Sequence, residues 1–309
     1  MTGKADRAVR AVEAVRKTTL TAVTVLTALT ALSATTLLSA QQPIDRRAAV
    51  GPRSSIRMHN LVGSTRVIAW DRDSIALTGT IADPDRVAFG SGPGGAKIGI
   101  ETPPNDPSGG PPAHLELRVP RGARVWVKSA TADIEVIGVE GGLDLYAVSG
   151  AIVVRGQPSE FNAESMDGPI TVESAAPWTR LKTASGAITV TGGDDLAALS
   201  VSGPITYRGI GFRRAHLESV SGDIHVAGAP DRTGRLEVES HSGRITVELP
   251  PGTGAEFDVQ SLYGTIRNAF TAGLPRRLPD LQGWELVFAT QVGGADIVLR
   301  SFKGEIALR

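Results

Sequence analysis

Val201-Ser202-Gly203-Pro204-Ile205-Thr206-Tyr207 and Val220-Ser221-Gly222-Asp223-Ile224-His225-Val226 are two copies of one unit, and the spacing of that unit decides the fold. Aligned on the small residue at its turn, the unit recurs at Ala132, Gly150, Gly168, Gly186, Gly203, Gly222, Gly243, Gly264 and Gly304. Steps between the first eight are 18, 18, 18, 17, 19, 21 and 21 residues, a period typical of stacked repeats. Two places after each anchor stands an isoleucine: Ile134, Ile152, Ile170, Ile188, Ile205, Ile224, Ile245, Ile266 and Ile306. Four places after come Val136, Val154, Val172, Val190, Tyr207, Val226, Val247, Asn268 and Leu308. Such alternation of β-branched residues marks a strand with one buried face.

The segment before each anchor alternates as well, as in Leu143-Asp144-Leu145 and Leu236-Glu237-Val238. Three places before the anchor it carries Ser129, Ala147, Ser165, Thr183, Ser200, Ser219, Ser240, Ser261 and Ser301. Each coil therefore reads as strand, turn, strand and return loop. The expected fold is all-β, a single-strand parallel β-helix (β-solenoid) over residues 121–309, with a loop insertion at 269–284. Residues 284–309 are expected to close the stack. The anchor glycine is read as a turn residue needing positive φ, and the serines as partners for turn backbone groups.

Upstream, residues 53–120 alternate less regularly. Ile75, Leu77 and Ile81 and the run Leu115–Val119 read as strands, and Gly90–Gly110 reads as a Pro/Gly-rich loop. This stretch is expected to form an N-terminal β cap over the open solenoid end, whose unpaired strand groups need cover. Residues 41–52 read as a linker. Residues 1–40 read as a targeting segment: Lys4, Arg7, Arg10, Arg16 and Lys17 precede a stretch without charge from Thr18 to Ile44. Ser39-Ala40-Gln41 offers a small residue for cleavage after Ala40, and an uncleaved membrane anchor is the alternative. The chain is thus expected to be exported, to the periplasm, the cell envelope or the medium.

Composition excludes several chemistries. No cysteine is present among 309 residues, so disulfides, thiolate metal ligands and thiol nucleophiles are ruled out. Beyond residue 40 there are 27 basic and 30 acidic side chains, a balance that offers nucleic acid no attraction.

The stretch Asn60-Leu61-Val62-Gly63-Ser64 through Trp70-Asp71, then Val119-Pro120-Arg121-Gly122, then the serial Ser-Gly-x-Ile-x-Val units together resemble a bacterial adhesin-type β-strand-repeat family, also catalogued as domain of unknown function 4097. The resemblance covers about residues 54–309. It implies a parallel β-helix-like fold in an exported or membrane-tethered protein, and no catalytic motif to carry over.

Outward columns are where chemistry can reside. Glu164, Glu218 and Glu239 stand four places before their anchors, and Glu218 and Glu239 fall in adjacent coils, about 5 Å apart at strand spacing. Such a pair could bind a cation or act as acid and base, and it could equally be two solvated residues. Thr171, Thr189, Thr206 and Thr246, with His225 among them, stand three places after their anchors. A row of hydroxyls on a flat face could bind an ordered surface such as a polysaccharide, or could simply reflect the strand propensity of threonine. His59, His114, His216, His225 and His241 share no column, so no metal site is expected, and no cofactor. The function expected is a non-enzymatic, envelope-associated scaffold or adhesin-like binding protein whose partner is a glycan or protein. The alternative is a carbohydrate-active β-helix enzyme with a shallow acidic cleft built on Glu218, Glu239 and Arg213 or Arg214.

Overall fold

Because side chains alternate across a strand, each coil can present its isoleucine and valine to one side only, and burial follows that rule. In the computed structural model, which describes residues 41–102, 110–278, 282–291 and 294–309, eight of the nine repeat isoleucines are at most 1% exposed. Ile134, Ile152, Ile170, Ile188, Ile205, Ile224, Ile245, Ile306 and Ile266 are successive partners in parallel pairing, so each lies over the next. A second ladder of parallel strands carries Val125, Leu143, Phe161, Thr179, Leu196, Ala215, Leu236, Ile297 and Phe257 in the same way. The fold is all-β and repeats like a solenoid. Apart from one 3-10 turn, Pro84–Arg86, the regular structure among the described residues is strand. The targeting segment expected over residues 1–40 lies outside the described residues.

Both ends of the stack depart from the expectation, and in the same manner. The last coil of the sequence, Ala295–Ser301 with Ile306–Leu308, does not close the stack. It pairs on one side with Ile224–Ser240 and Ile245–Glu248, and on the other with Ala255–Ser261 and Ile266–Asn268. The outermost coil is the earlier one, and it carries Asn268 in the apolar column and a half-buried Ile266. Leu308, inside, is 2% exposed. Within the expected loop 269–284, Arg276–Arg277 forms a short strand on Trp284–Thr290, which itself lies antiparallel outside Ala255–Ser261 and stacks Phe288 on Phe257 at 4.3 Å.

At the other end, much of the region expected as a separate cap is two more coils. Ser55–His59 and Gly63–Trp70 form a coil set between Arg124–Lys128 with Asp133–Ile137 and Gly95–Ile100 with Ala113–Pro120. Ile56, Met58, Val67, Ile98 and Leu117 are fully buried there. Antiparallel strands lie outside: Val87–Gly92 on Gly95–Ile100, Ser74–Ile81 on Ala113–Pro120, and Gln42–Ala49 on Ser74–Ile81. The expected linker over 41–52 thus holds a strand. The expected loop over Gly90–Gly110 contains one whole strand and the end of another. Its glycines mislead because Gly95 is there for close approach: it has φ +149°, and a Cβ would run into the Ser55 carbonyl.

The anchor glycines have a different cause from the one expected. None from Gly150 to Gly304 has positive φ. Instead, a Cβ on Gly168, Gly186, Gly203, Gly222 or Gly243 would meet the carbonyl oxygen of the anchor one rung below at under 3.0 Å. The column is glycine because backbone lies on backbone. Serine serves the turn as anticipated: Ser129 Oγ donates to the Ala132 carbonyl at 2.6 Å, Ser240 Oγ to the Gly243 carbonyl at 2.8 Å, and the Gly222 N–H donates to Ser219 Oγ at 2.8 Å.

Tyr207 replaces valine in the inner column, and its ring meets Phe212 edge-on at 5.2 Å. Its hydroxyl is buried with no partner among the described residues, and burial pushes its pKa upward. An unpaired buried hydroxyl costs roughly 1–3 kcal/mol. Tyr207→Phe is therefore expected to leave stability unchanged or raise it by about 1 kcal/mol, read as the denaturant midpoint. A loss beyond about 1 kcal/mol would mean that the hydroxyl has a partner in solution.

Candidate functional site

With the apolar faces turned inward, chemistry is confined to the outward columns, and in-register pairing makes each column a straight row. Thr171, Thr189, Thr206, His225 and Thr246 are successive partners, all half-buried, so the structure assembles the expected hydroxyl row with His225 inside it. Val153 and Glu135 extend the row at one end, Ala307 and Arg267 at the other. His225 lies 3.8 Å from Glu248.

Glu218 and Glu239 are direct partners on adjacent rungs of the other ladder. They line a cleft of about 450 Å³ together with His241, Gln260, Arg300 and Phe302. Arg300 is the partner of Glu239 on the next rung, because the inserted last coil brings it there. It is held by Asp258, to which it donates at 3.0 Å. His241 stacks on Phe302 at 4.7 Å with planes 14° apart. The arginines expected beside the acids are elsewhere. Arg213 is tied to Asp194 at 2.6 Å and Arg214 lies 3.9 Å from Asp195, at the far end of their strand. Two carboxylates one rung apart have the spacing of a retaining glycosidase pair, about 5 Å. Here both project from one face in the same direction, whereas such a pair must flank the bond it cleaves. No group of three or more His, Asp or Glu side chains among the described residues could hold a metal ion.

Two features escaped the sequence reading. One is at the opposite end of this same face, where Lys97, Arg57 and Trp126 are successive rung partners and His59 pairs with Lys128. The rings of His59 and Trp126 lie 4.8 Å apart, and those of Trp126 and Tyr146 5.9 Å. Thr65 stands where later coils have isoleucine, so the coil bearing Arg57 and His59 carries no repeat signature that would assign them a column. The other is an exposed apolar row at the turn, Val148, Met166, Val201 and Val220, each 44–56% exposed. All four stand two places before their anchor glycine, a position that Ala184 and His241 hold in other coils.

Residues 114–273 match the family model described as Toastrack DUF4097. The chain belongs to the Toastrack family. The matched stretch of this Toastrack chain starts in Ala113–Pro120 and ends past Ile266–Asn268, so it leaves out the coil at 55–70 and the inserted last coil. Solved structures overlap more of it. A "putative adhesin" from Bacteroides fragilis is 10% identical, with 88% of this chain and 99% of that one covered and a TM-score of 0.42. A "putative lipid binding protein" from Parabacteroides distasonis is 12% identical, with 87% and 97% covered and a TM-score of 0.42. A "putative adhesin" from Parabacteroides merdae is 8% identical, with 87% and 96% covered and a TM-score of 0.41. No curated protein matches. Among the described residues no helix is long and apolar enough to cross a membrane.

Proposed function

We propose that this Toastrack chain is a non-catalytic binding or scaffold protein of the bacterial cell envelope, exported through residues 1–40, with a single-strand parallel β-helix that displays its outward columns to a glycan or protein. One observation carries the reading. Polar and aromatic side chains stand in register over successive rungs, on a backbone held by a continuous buried column of isoleucine. A row at rung spacing suits an extended, repeating ligand, whereas a small substrate needs an enclosing pocket.

The test is a pull-down from an envelope fraction and a glycan array with the full chain, alongside the double variant Thr189→Lys/Thr206→Lys and the variant Trp126→Ala. Capture of an envelope glycan or protein that either variant weakens tenfold or more supports the proposal. No capture in either format sinks it.

A carbohydrate-active reading has one observation in its favour, the cleft that Glu218 and Glu239 line together. Release of reducing ends from a polysaccharide panel by the wild type, lost in Glu218→Gln and Glu239→Gln, would put that reading first.

A further inference from the structure

The uncharted end of the outward face has the makings of a ligand site, and its construction is specific. Gly95–Ile100, Ser55–His59 and Arg124–Lys128 lie side by side in parallel register. Outward residues of the three strands therefore form a grid at rung spacing, about 4.8 Å. Lys97, Arg57, Trp126 and Asp144 make one row. Gly99, His59, Lys128 and Tyr146 make the next. Gly99 has no heavy atom within 4 Å of where a Cβ would stand, so the outer side of the His59 ring has no side chain beside it on that rung.

Three cations meet here, with Asp144 the one acid in the lining. Among the described residues Lys97, Arg57 and Lys128 form no ion pair, whereas Arg66, Arg118, Arg121, Arg124 and Arg155 on nearby coils each do. The one carboxylate lining the cleft, Asp144, is already answered by Arg124 at 3.5 Å. His59 reports the local field. Its pKa is lowered by burial first, and then by Lys97, Lys128 and Arg57. These are the charged groups that face it from its own strand and from both flanking strands. A neutral imidazole results at pH 7, and its ring adds to the aromatic surface of Trp126 and Tyr146. The cleft lined by Arg57, His59, Lys97, Trp126, Arg124 and Asp144 measures about 400 Å³, and Lys128 and Tyr146 stand beside it on the neighbouring rungs.

We propose that Lys97, Arg57 and Lys128, with the His59–Trp126–Tyr146 ring row, bind an acidic polysaccharide, the cations taking its carboxylates or other anionic groups and the rings packing against its sugar faces. The proposal rests on the reading of this chain as an envelope binding protein, and it names the ligand class and the place. A polysaccharide fits better than a bilayer, because cations alternate with ring faces across a flat strand surface. A bilayer would be met by a cationic rim around an exposed apolar tip. Nucleic acid is disfavoured by the acidic balance of the rest of the chain. Arginine can hold a carboxylate through two parallel donors, and lysine contributes a mobile point charge.

The probes are polygalacturonate, the same polymer fully methyl-esterified, and vesicles of phosphatidylglycerol, each titrated against the full chain with tryptophan fluorescence as one readout, the Trp126 share being the part lost in Trp126→Phe. Binding of polygalacturonate is expected, with loss on esterification and a strong decline with added salt. Arg57→Gln/Lys97→Gln is expected to weaken it roughly tenfold or more, since charge-assisted contacts are worth more than neutral ones. Trp126→Ala should weaken it and Trp126→Phe should restore most of the loss, with thermal melting checked for each variant. Bound polymer should also raise the His59 pKa, followed by the ring proton shifts against pH.

Polygalacturonate affinity that the esterified polymer matches, or that the double variant leaves intact, overturns the proposal. So does binding confined to the vesicles. If affinity for an envelope glycan survives those changes yet falls in Thr189→Lys/Thr206→Lys, this site is wrong and the broader binding reading stands. If the chain captures nothing from the envelope and does not bind polygalacturonate, both fall.

Discussion

A chain stopped after Gly294 will lose its cooperative unfolding transition, not merely one coil from the end of the stack. Residues 295–308 are last in sequence but lie between two other coils, so their removal breaks both ladders. Ile297, Leu299, Ile306 and Leu308 are each at most 2% exposed. At roughly 1.5–3 kcal/mol per buried side chain, their loss removes about 6–12 kcal/mol, the scale of a whole domain's net stability. The coil 255–268 then has no parallel neighbour for its inner side, and Phe257 and Val259 lose the strand beside them. The expected result is a broad, shallow melt by far-UV circular dichroism and rapid proteolysis beyond residue 250. A pair of point variants separates position from mere removal. Ile306→Ala should cost about 2–5 kcal/mol, as a core deletion does, and Ile266→Ala in the half-buried outermost coil about 1 kcal/mol. Equal costs for the two, or a truncated chain that melts within a few degrees of the full one, would show that the last coil does not sit inside the stack.

The second large effect comes from a single methyl group. Gly222→Ala is expected to cost roughly 3–5 kcal/mol or to prevent folding, because the new Cβ would meet the Gly203 carbonyl oxygen at under 3.0 Å. Relief would need the two rungs to separate, and their spacing is set by the backbone ladder, including the 2.8 Å bond from the Ser221 N–H to the Val201 carbonyl. Gly94→Ala is the matched control. Nothing lies within 4 Å of its would-be Cβ, so a change within about 0.5 kcal/mol is expected. The measurement is the guanidinium midpoint of each variant. Similar midpoints would mean that the anchor glycines serve turn geometry and not close stacking.

What could be read without coordinates follows from local periodicity. Ile at one offset and Val at the next specify which side of each strand is buried, and a constant offset from the anchor specifies the register between coils. All successive isoleucine partners from Ile134 to Ile224 follow from that rule. Thr189 with Thr206 and Glu218 with Glu239 follow too. The coil at 55–70 escaped because Thr65 occupies the place where later coils have isoleucine and Asn60 the place where most have serine, although Gly63 stands at the anchor offset. The site built on Arg57, His59 and Trp126 was hidden along with it.

By itself the sequence determined an all-β chain of stacked coils, the inward columns, and the register of every rung in the regular middle. Only the tertiary structure decided the order of rungs at the two ends, the reason for the anchor glycines, and which charges meet across non-sequential coils, as Arg300 meets Glu239. The physical reason is that repeated rungs are interchangeable as partners: an isoleucine column accepts any coil with the right offset. Their order depends on how the connections run and on which coil tolerates solvent, and the polar Asn268 in an apolar column was the one local mark of that choice.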